Sequence, residues 1–106
     1  MKRISSRQAQ AHAISEETRR AVEERDGGLC VWCKKPGRPE AHYIPRSRGG
    51  LGIPENILTL CRQCHTAFDQ GRREERDRMR GYFERYLREH YPEWNTDNVI
   101  YRKEKI

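Results

Sequence analysis

The four cysteines of the chain fall into two Cys-x-x-Cys pairs, Cys30 with Cys33 and Cys61 with Cys64. This spacing is typical of zinc ligation, and four thiolates would complete a tetrahedral site. A site with no vacancy for water or substrate stabilises a fold and takes no part in a reaction. We therefore predict one structural Zn²⁺ bound by all four cysteines. The alternative is a set of free or redox-active thiols, which two pairs bordering turns in one small domain disfavour.

A second group of residues combines two imidazoles, an amide and a carboxylate: His42, Asn56, His65 and Asp69. His65 directly follows Cys64, and Asp69 lies four residues further on, so both would share one face of a helix. His42 lies in a candidate strand that would cross that helix. Such a group can hold a divalent cation and a water, and an imidazole titrates in the range that proton transfer requires. The spacing predicts equipment for phosphodiester hydrolysis. The structural alternative is that His42 is a hydrogen-bonded strand residue without a catalytic role and that His65 and Asp69 form a surface contact.

The elements that must position these residues form a ββα pattern in the sequence. Residues 40–44 and 57–60 are candidate strands, separated by a loop over 45–56 that is rich in Gly and Pro. A short helix is predicted to begin near Cys64 and to end near residue 71. The two cysteine pairs would clamp the outer edge of this unit.

The residues before the first cysteine pair predict an arm and a helix. Residues 1–14 are polar and basic without a clear period, which predicts a loose basic arm. Ser15 is a good N-cap and two acidic residues follow it, so a helix is predicted to begin there. Gly27 and Gly28 are predicted to end this helix.

The last third of the chain has the clearest helical period. Apolar and aromatic side chains recur at intervals of three and four over residues 73–91, and Pro92 is predicted to stop that helix. Trp94 and residues 99–101 are predicted to fold back onto the core. We therefore predict an α+β fold, a single domain over residues 1–106, with the ββα unit flanked by an N-terminal helix and a longer C-terminal helix.

Composition favours a small intracellular domain with a polyanionic partner. Only 34% of the residues are hydrophobic and 36% are charged, so the core must be small and gains from a bound metal. The chain has no apolar run near its start and no stretch of membrane-spanning length, so we expect a cytoplasmic protein without a membrane partner. The net charge is +6. Five basic residues against one acid between Lys34 and Arg48 predict contact with phosphates.

Taken together, the motifs resemble those of the HNH endonuclease family, whose core is the ββα-metal fold. The resemblance covers residues 30–71 and lies in four segments that follow one another in the family's order: Cys30-x-x-Cys33, Ala41-His42-Tyr43-Ile44-Pro45-Arg46-Ser47-Arg48-Gly49-Gly50, Asn56-Ile57-Leu58-Thr59-Leu60 and Cys61-x-x-Cys64-His65. Similar small stand-alone proteins are frequent in phage and prophage genomes.

The resemblance implies a role for each of three residues. His42 matches the general base that activates the attacking water, and Asn56 matches the residue that braces the loop and helps to hold that base. His65 matches a ligand of the catalytic ion, Mg²⁺ or Mn²⁺. This ion would stabilise the leaving 3′ oxygen, and cleavage would leave 3′-hydroxyl and 5′-phosphate ends. The implied substrate is DNA, which would be nicked or cut through both strands.

The sequence departs from the family at one position. HNH proteins commonly have a metal-binding Asp or His directly before the base, and this chain has Ala41. Asp69 is our first choice to complete the coordination, since some relatives carry a second ligand at this helix position. Glu40 is a weaker choice because it would lie further from the helix start, and Tyr43 would point to the opposite face of the strand.

Two further expectations concern binding and the rival functions. Arg46 and Arg48 border the catalytic residues and are predicted to contact DNA phosphates, although a solvated loop charge is the plain alternative. We expect a monomer or a weak dimer. The competing functions are a non-catalytic zinc module that binds nucleic acid, which Ala41 favours, and a protein-interaction zinc knuckle, which leaves the co-occurrence of His42, Asn56 and His65 unexplained.

Overall fold

The computed structural model describes residues 6–102, and four helices, two strands and three 3-10 turns lie in this range. The helices are α1 (Ser6–His12), α2 (Glu16–Asp26), α3 (Arg62–Gln70) and α4 (Arg73–His90), and the strands are β1 (Arg38–His42) and β2 (Ile57–Leu60). The 3-10 turns are Arg46–Arg48, Pro54–Asn56 and Thr96–Val99. This mixed architecture confirms the predicted α+β class, with a ββα unit flanked by helices. No helix within the described range is long and apolar enough to span a membrane.

β1 and β2 form a two-stranded antiparallel sheet that carries the site. His42 pairs with Ile57 and Arg38 with Leu60, and the register shifts between Pro39 and Ala41. The predicted bounds of β1, residues 40–44, were wrong by two residues. The strand begins earlier because Pro39 lies beside the register shift, where a missing N–H is tolerated.

α2 begins and ends as the sequence predicts. The Ser15 hydroxyl accepts a hydrogen bond from the Thr18 N–H at 3.1 Å, which caps the first turn. Gly27 adopts a left-handed conformation at φ 67° and its N–H donates to the Glu23 carbonyl, which closes the last turn. The helix therefore presents Asp26, its last residue, at a defined position against β2.

The core lies between the sheet, α3 and the buried face of α4. Met79, Phe83 and Leu87 on α4 have no exposed surface. Phe68 of α3 meets Phe83 edge to face at a ring-centroid distance of 5.0 Å. Trp94 is 4% exposed, so the predicted return of the C-terminal segment to the core is confirmed. These contacts fix α3, and with it the two polar residues that it carries on its outer face.

The predicted loose arm is wrong for residues 6–12, which form α1, while residues 1–5 lie outside the described range. Seven residues are too few for a stable isolated helix. Tertiary hydrogen bonds replace the missing local stability: the Gly52 N–H donates to the Ala11 carbonyl at 2.9 Å. α1 therefore lies against the loop between the strands.

A buried polar cluster, which the sequence did not predict, joins α2 to the sheet and α4. Arg25 forms an ion pair with Asp26 at 2.7 Å and donates to the Ile57 carbonyl at 2.7 Å. Asp26 accepts from the Thr59 N–H at 3.0 Å and from the Tyr86 hydroxyl. Burial opposes ionisation of Asp26, but these donors and the charge of Arg25 outweigh it and hold its pKa below 3.8.

Candidate functional site

The four cysteines converge into one cluster with the dimensions of a zinc site. Their sulfur atoms all lie within 4.8 Å of one another, and the Cys33 and Cys61 sulfurs are 3.6 Å apart. A tetrahedron with Zn–S bonds of about 2.3 Å has sulfur–sulfur edges of about 3.8 Å, so the spacing fits Zn²⁺. None of the four is in a disulfide. The predicted grouping of Cys30, Cys33, Cys61 and Cys64 for a metal is confirmed.

Local backbone geometry turns both cysteine pairs towards the metal position. After Cys33 the chain reverses through Lys34, whose φ is 70°, and the Cys30 N–H donates to the Lys35 carbonyl at 2.6 Å. In the second pair, Cys61 caps α3, because its sulfur accepts from the Cys64 N–H at 3.4 Å. The zinc cluster therefore joins the turn that leads into β1 to the end of β2.

The thiol groups within this cluster differ in acidity. Burial of Cys30 opposes its ionisation, but main-chain N–H groups of Cys33, Cys61 and Trp32 point at its sulfur and bring its pKa down to about 7. Burial raises the pKa of Cys64, and hydrogen bonding among the neighbouring thiols raises it further.

His42 ends β1 half-buried, with its ring held by a main-chain carbonyl. Its Nε2 lies 2.9 Å from the His12 carbonyl oxygen. A carbonyl only accepts hydrogen bonds, so Nε2 carries the proton and the lone pair of the neutral ring is on Nδ1. Burial lowers the pKa of His42 below 6.5, and the charges of Arg46, His12 and His65 lower it further, against the opposing effect of the His12 carbonyl. His42 is therefore a neutral imidazole with a free lone pair at neutral pH.

Asn56 is fully buried and ties the two ends of the loop together. Its Oδ1 accepts from the Ile44 N–H at 2.8 Å, and its Nδ2 donates to the carbonyls of Ile44 and Leu51 at 3.1 and 2.8 Å. The side chain thus takes the place of a further strand pair just beyond β1. Ile57, the residue after Asn56, pairs with His42, so this brace lies next to the predicted base.

His65 and Asp69 lie side by side on α3, as their spacing predicts. His65 Nε2 is 3.4 Å from Asp69 Oδ2, and the two side chains are 35% and 55% exposed. Both line an open cleft of about 550 Å³ between the first cysteine turn, β1 and α3. Glu40 lines the same cleft, but its carboxylate lies 3.2 Å from Arg19. An exposed imidazole and carboxylate facing one cleft can hold a divalent ion with two protein donors.

Within residues 6–102, the metal-binding side chains of the cleft do not form a group larger than the pair of His65 and Asp69. Within residues 6–102, three or more His, Cys, Asp or Glu ligand atoms come within 4.8 Å of one another in the cysteine cluster alone. His42 is nevertheless close enough to His65 for the charge of one to affect the pKa of the other. Ala41, which stands where the family has a ligand, has no exposed surface and packs in the core. No side chain at that position reaches the cleft.

Arg46 and Arg48 are exposed on the 3-10 turn that follows β1. Gly49 ends this turn in a left-handed conformation at φ 89°. A Cβ at Gly50 would lie 1.7 Å from the Ile44 carbonyl oxygen, so the Gly50 backbone packs directly on the chain just after β1. The two glycines therefore hold the arginine turn close to His42.

Sequence reasoning missed two residues that the structure places near the site, Arg62 and His12. Arg62 lines the same cleft as His65, and so does Arg38, which lies in the segment from Lys34 to Arg48 that the sequence predicts to contact phosphates. His12, which has no ligand-like neighbours in the sequence, is 5% exposed and contacts both the loop and His42. Nothing in the sequence ties His12 to His42.

The comparisons with known proteins agree with this geometry. Residues 30–69 match the family model described as HNH endonuclease, a range that contains both cysteine pairs, His42, Asn56, His65 and Asp69. A 30-residue stretch is 47% identical to Anaredoxin of Nostoc sp., covering 28% of this chain and 40% of that protein. The chain therefore spans about two-fifths of the length of the curated relative that it matches. The family match confirms the resemblance found in the motifs.

Proposed function

From the premise that residues 30–69 match the HNH endonuclease family model, we propose that the chain is a metal-dependent endonuclease that hydrolyses phosphodiester bonds of DNA. The observation that carries the proposal is the state of His42 at the end of β1. Its ring is neutral at neutral pH, and its Nε2 is bonded to the His12 carbonyl, so Nδ1 is free to accept a proton. A general base requires this combination of position and protonation state.

In the proposed reaction, Nδ1 of His42 takes a proton from a water molecule as the water oxygen bonds to phosphorus. The bond between phosphorus and the 3′ oxygen breaks and that oxygen takes a proton from solvent water, so the products carry a 3′-hydroxyl and a 5′-phosphate. Asn56 holds the loop next to the base through its three hydrogen bonds. The bond from His42 to the His12 carbonyl keeps the ring from rotating its lone pair away from the water.

His65 and Asp69 are the residues that would hold the divalent ion, Mg²⁺ or Mn²⁺. Their donor atoms are neighbours, exposed to the cleft, and of the nitrogen and oxygen types that these ions accept. When bound, the ion supplies positive charge to the scissile phosphate and to the leaving 3′ oxygen. With two protein ligands, water and phosphate oxygens would complete the coordination, which is ordinary for Mg²⁺.

The zinc cluster has a separate, structural role in this proposal. Four thiolates saturate a tetrahedral Zn²⁺ and leave no position for water or substrate. The cluster also lies at the ends of β1 and β2 that are remote from His42, because Arg38 and Leu60 pair beside it whereas His42 and Ile57 pair at the other end. Free thiols arranged for a metal suit a reducing cytoplasmic setting.

DNA would be bound through arginines on both sides of the catalytic residues. Arg46 and Arg48 lie beyond His42, while Arg38 and Arg62 lie in the cleft beside His65. Phosphates on either side of the cut could thus be neutralised, and the contacts would depend strongly on salt and weakly on sequence. A monomer with one such site would nick one strand at a time.

The test is cleavage of supercoiled plasmid by the purified chain across a series of Mg²⁺ and Mn²⁺ concentrations, with zinc content measured in parallel. We expect nicked and then linear product, no product without the divalent ion, and loss of product in His42→Ala with zinc content unchanged. His90→Ala is the matched control, since the His90 ring packs on Tyr86 and Tyr91 at the far end of α4. Cleavage by His42→Ala at the wild-type rate would refute the assignment of the base.

The second candidate is a zinc-containing module that binds nucleic acid without cutting it. The burial of Ala41 favours it, because the position that commonly supplies a metal ligand is closed to the cleft. Such a module would retard DNA in a gel with a steep salt dependence, and it would produce no nicks at any concentration of Mg²⁺ or Mn²⁺.

A further inference from the structure

His12 is a buried histidine that the cleavage mechanism leaves without a role. It is the last residue of α1 and lies outside the segment that matches the HNH family. Its side chain and its main chain bond to different parts of the site. Nδ1 lies 2.7 Å from the Gly50 carbonyl, and the His12 carbonyl lies 2.9 Å from Nε2 of His42.

Both bonds fix the proton positions of the two rings. Because the partner is a carbonyl in each case, His12 carries its proton on Nδ1 and His42 carries its proton on Nε2. The two tautomers are therefore opposite. The bond from Nδ1 of His12 also joins α1 to the loop that Asn56 braces, since Gly50 lies in that loop.

We propose that His12 is a positioning residue for His42, fixing the orientation of its ring and of the Nδ1 lone pair by way of a carbonyl that the His12 side chain anchors. This inference rests on the proposed function for its catalytic meaning, although the hydrogen-bond arrangement does not.

The His12 side chain helps to hold that carbonyl in place. α1 has seven residues and is too short to be stable alone. Its last turn is docked by the His12 bond to Gly50, by the Gly52 N–H bond to the Ala11 carbonyl and by close packing, since a Cβ at Gly52 would lie 2.0 Å from the Ala13 carbonyl oxygen. Of these three contacts, the hydrogen bond from the His12 side chain can be removed by a substitution that leaves the sequence of the loop unchanged.

The first measurement is the tautomeric state of both histidines in the zinc-loaded wild-type chain, from ring ¹⁵N shifts at neutral pH. We expect Nε2–H for His42 and Nδ1–H for His12. The opposite tautomer at either ring would overturn the proposal. This readout requires no cleavage, so it stands or falls independently of the proposed nuclease activity.

The second measurement compares two isosteric substitutions, His12→Asn and His12→Gln. An Asn amide can place its N–H near the position of Nδ1, whereas a Gln amide places it near that of Nε2. We expect His12→Asn to keep the His42 tautomer and most of the cleavage rate. His12→Gln and His12→Ala should give a mixture of His42 tautomers and a fall in kcat of roughly 10- to 100-fold, with KM little changed.

Zinc content and the His90→Ala control separate positioning from general damage. Equal cleavage by the Asn and Gln variants, or an unchanged His42 tautomer in His12→Ala, would overturn the role of the side chain. If His12→Ala does not fold, the Asn and Gln pair still decides, because both variants remove the ring and differ in where the donor lies. If the wild type shows the expected tautomers and cuts no DNA, the proposed function fails while the positioning arrangement stands.

Discussion

Replacing Asn56 by Ala should destabilise the chain more than any other single polar truncation in the loop. The side chain has no exposed surface and bonds to three main-chain groups: the Ile44 N–H, the Ile44 carbonyl and the Leu51 carbonyl. Alanine would leave these groups without a partner in the place that the amide had filled. The loop that carries the arginine turn would lose its brace next to His42.

The magnitude follows from the number of groups that lose a partner. An unsatisfied buried donor or acceptor costs about 1 to 3 kcal/mol, so three such groups cost at least ~3 kcal/mol. A domain of this size has a free energy of unfolding of roughly 5 to 15 kcal/mol, so Asn56→Ala would remove a large part of it. Zinc binding should persist in the folded fraction, because the four cysteines do not contact Asn56 through any of these bonds.

The assay is urea denaturation of the zinc-loaded chain, followed by plasmid cleavage well below the transition. Thr59→Val is the matched control, since Thr59 is also fully buried but its hydroxyl has no hydrogen-bond partner among residues 6–102. We expect this control to be neutral or to stabilise by about 1 kcal/mol. A loss of less than ~1 kcal/mol in Asn56→Ala would refute the reasoning that these three bonds hold the loop.

Three further predictions concern charge and metal. Asp26→Asn should lower the free energy of unfolding by about 3 to 5 kcal/mol, measured by thermal unfolding, because it leaves Arg25 buried without its carboxylate. Since the native pKa of Asp26 is below 3.8, the stabilisation from its charge is present above pH 3.8 and is lost as the pH falls through the native pKa. A wild-type stability that does not change through the acid range would contradict this prediction. The cleavage rate should be constant above pH 6.5 and fall on the acid side as His42 becomes protonated. Arg46→Gln should move that fall to higher pH, because it removes a charge that lowers the pKa of His42. An unchanged pH profile in this variant would argue against the proximity of Arg46 to His42. Removal of zinc by a chelator, or Cys33→Ser, should unfold the chain so that Mg²⁺ alone restores no cleavage, and a folded, zinc-free chain by circular dichroism would disprove the structural role.

The features that local sequence encodes were predicted well. The cysteine spacing is sufficient to predict a metal cluster, because two turns of fixed geometry are enough to aim four sulfurs. The bounds of α2 follow from Ser15 and Gly27, which act on the adjacent turns. His65 and Asp69 share a helix face because they are four residues apart. In each case the determining contacts lie within a few residues along the chain.

The features that depend on distant contacts were not predicted. α1 has no strong local signal and is held by bonds to residues 50 and 52, so its sequence alone indicates an arm. β1 extends to Arg38 because Leu60 pairs with it, although Pro39 locally disfavours a strand. The buried pair of Arg25 and Asp26 reads in the sequence as two ordinary surface charges at a helix end. The sequence showed that Ala41 stands where a metal ligand is common, but the burial of Ala41 in the core could be seen only in the three-dimensional structure.

The loop beside the proposed base is bonded from both sides by segments outside the cysteine-bounded unit. Residues 11 and 12 bond to it from α1, and on the other side the Leu51 N–H donates to the Val99 carbonyl and the Tyr101 N–H donates to the Gly49 carbonyl. During synthesis on a ribosome, residues 99–101 are the last of these partners to be made. The zinc cluster and both strands can therefore form on a nascent chain before the loop has its full set of hydrogen bonds. The geometry around His42 is complete only once the C-terminal segment has emerged and docked.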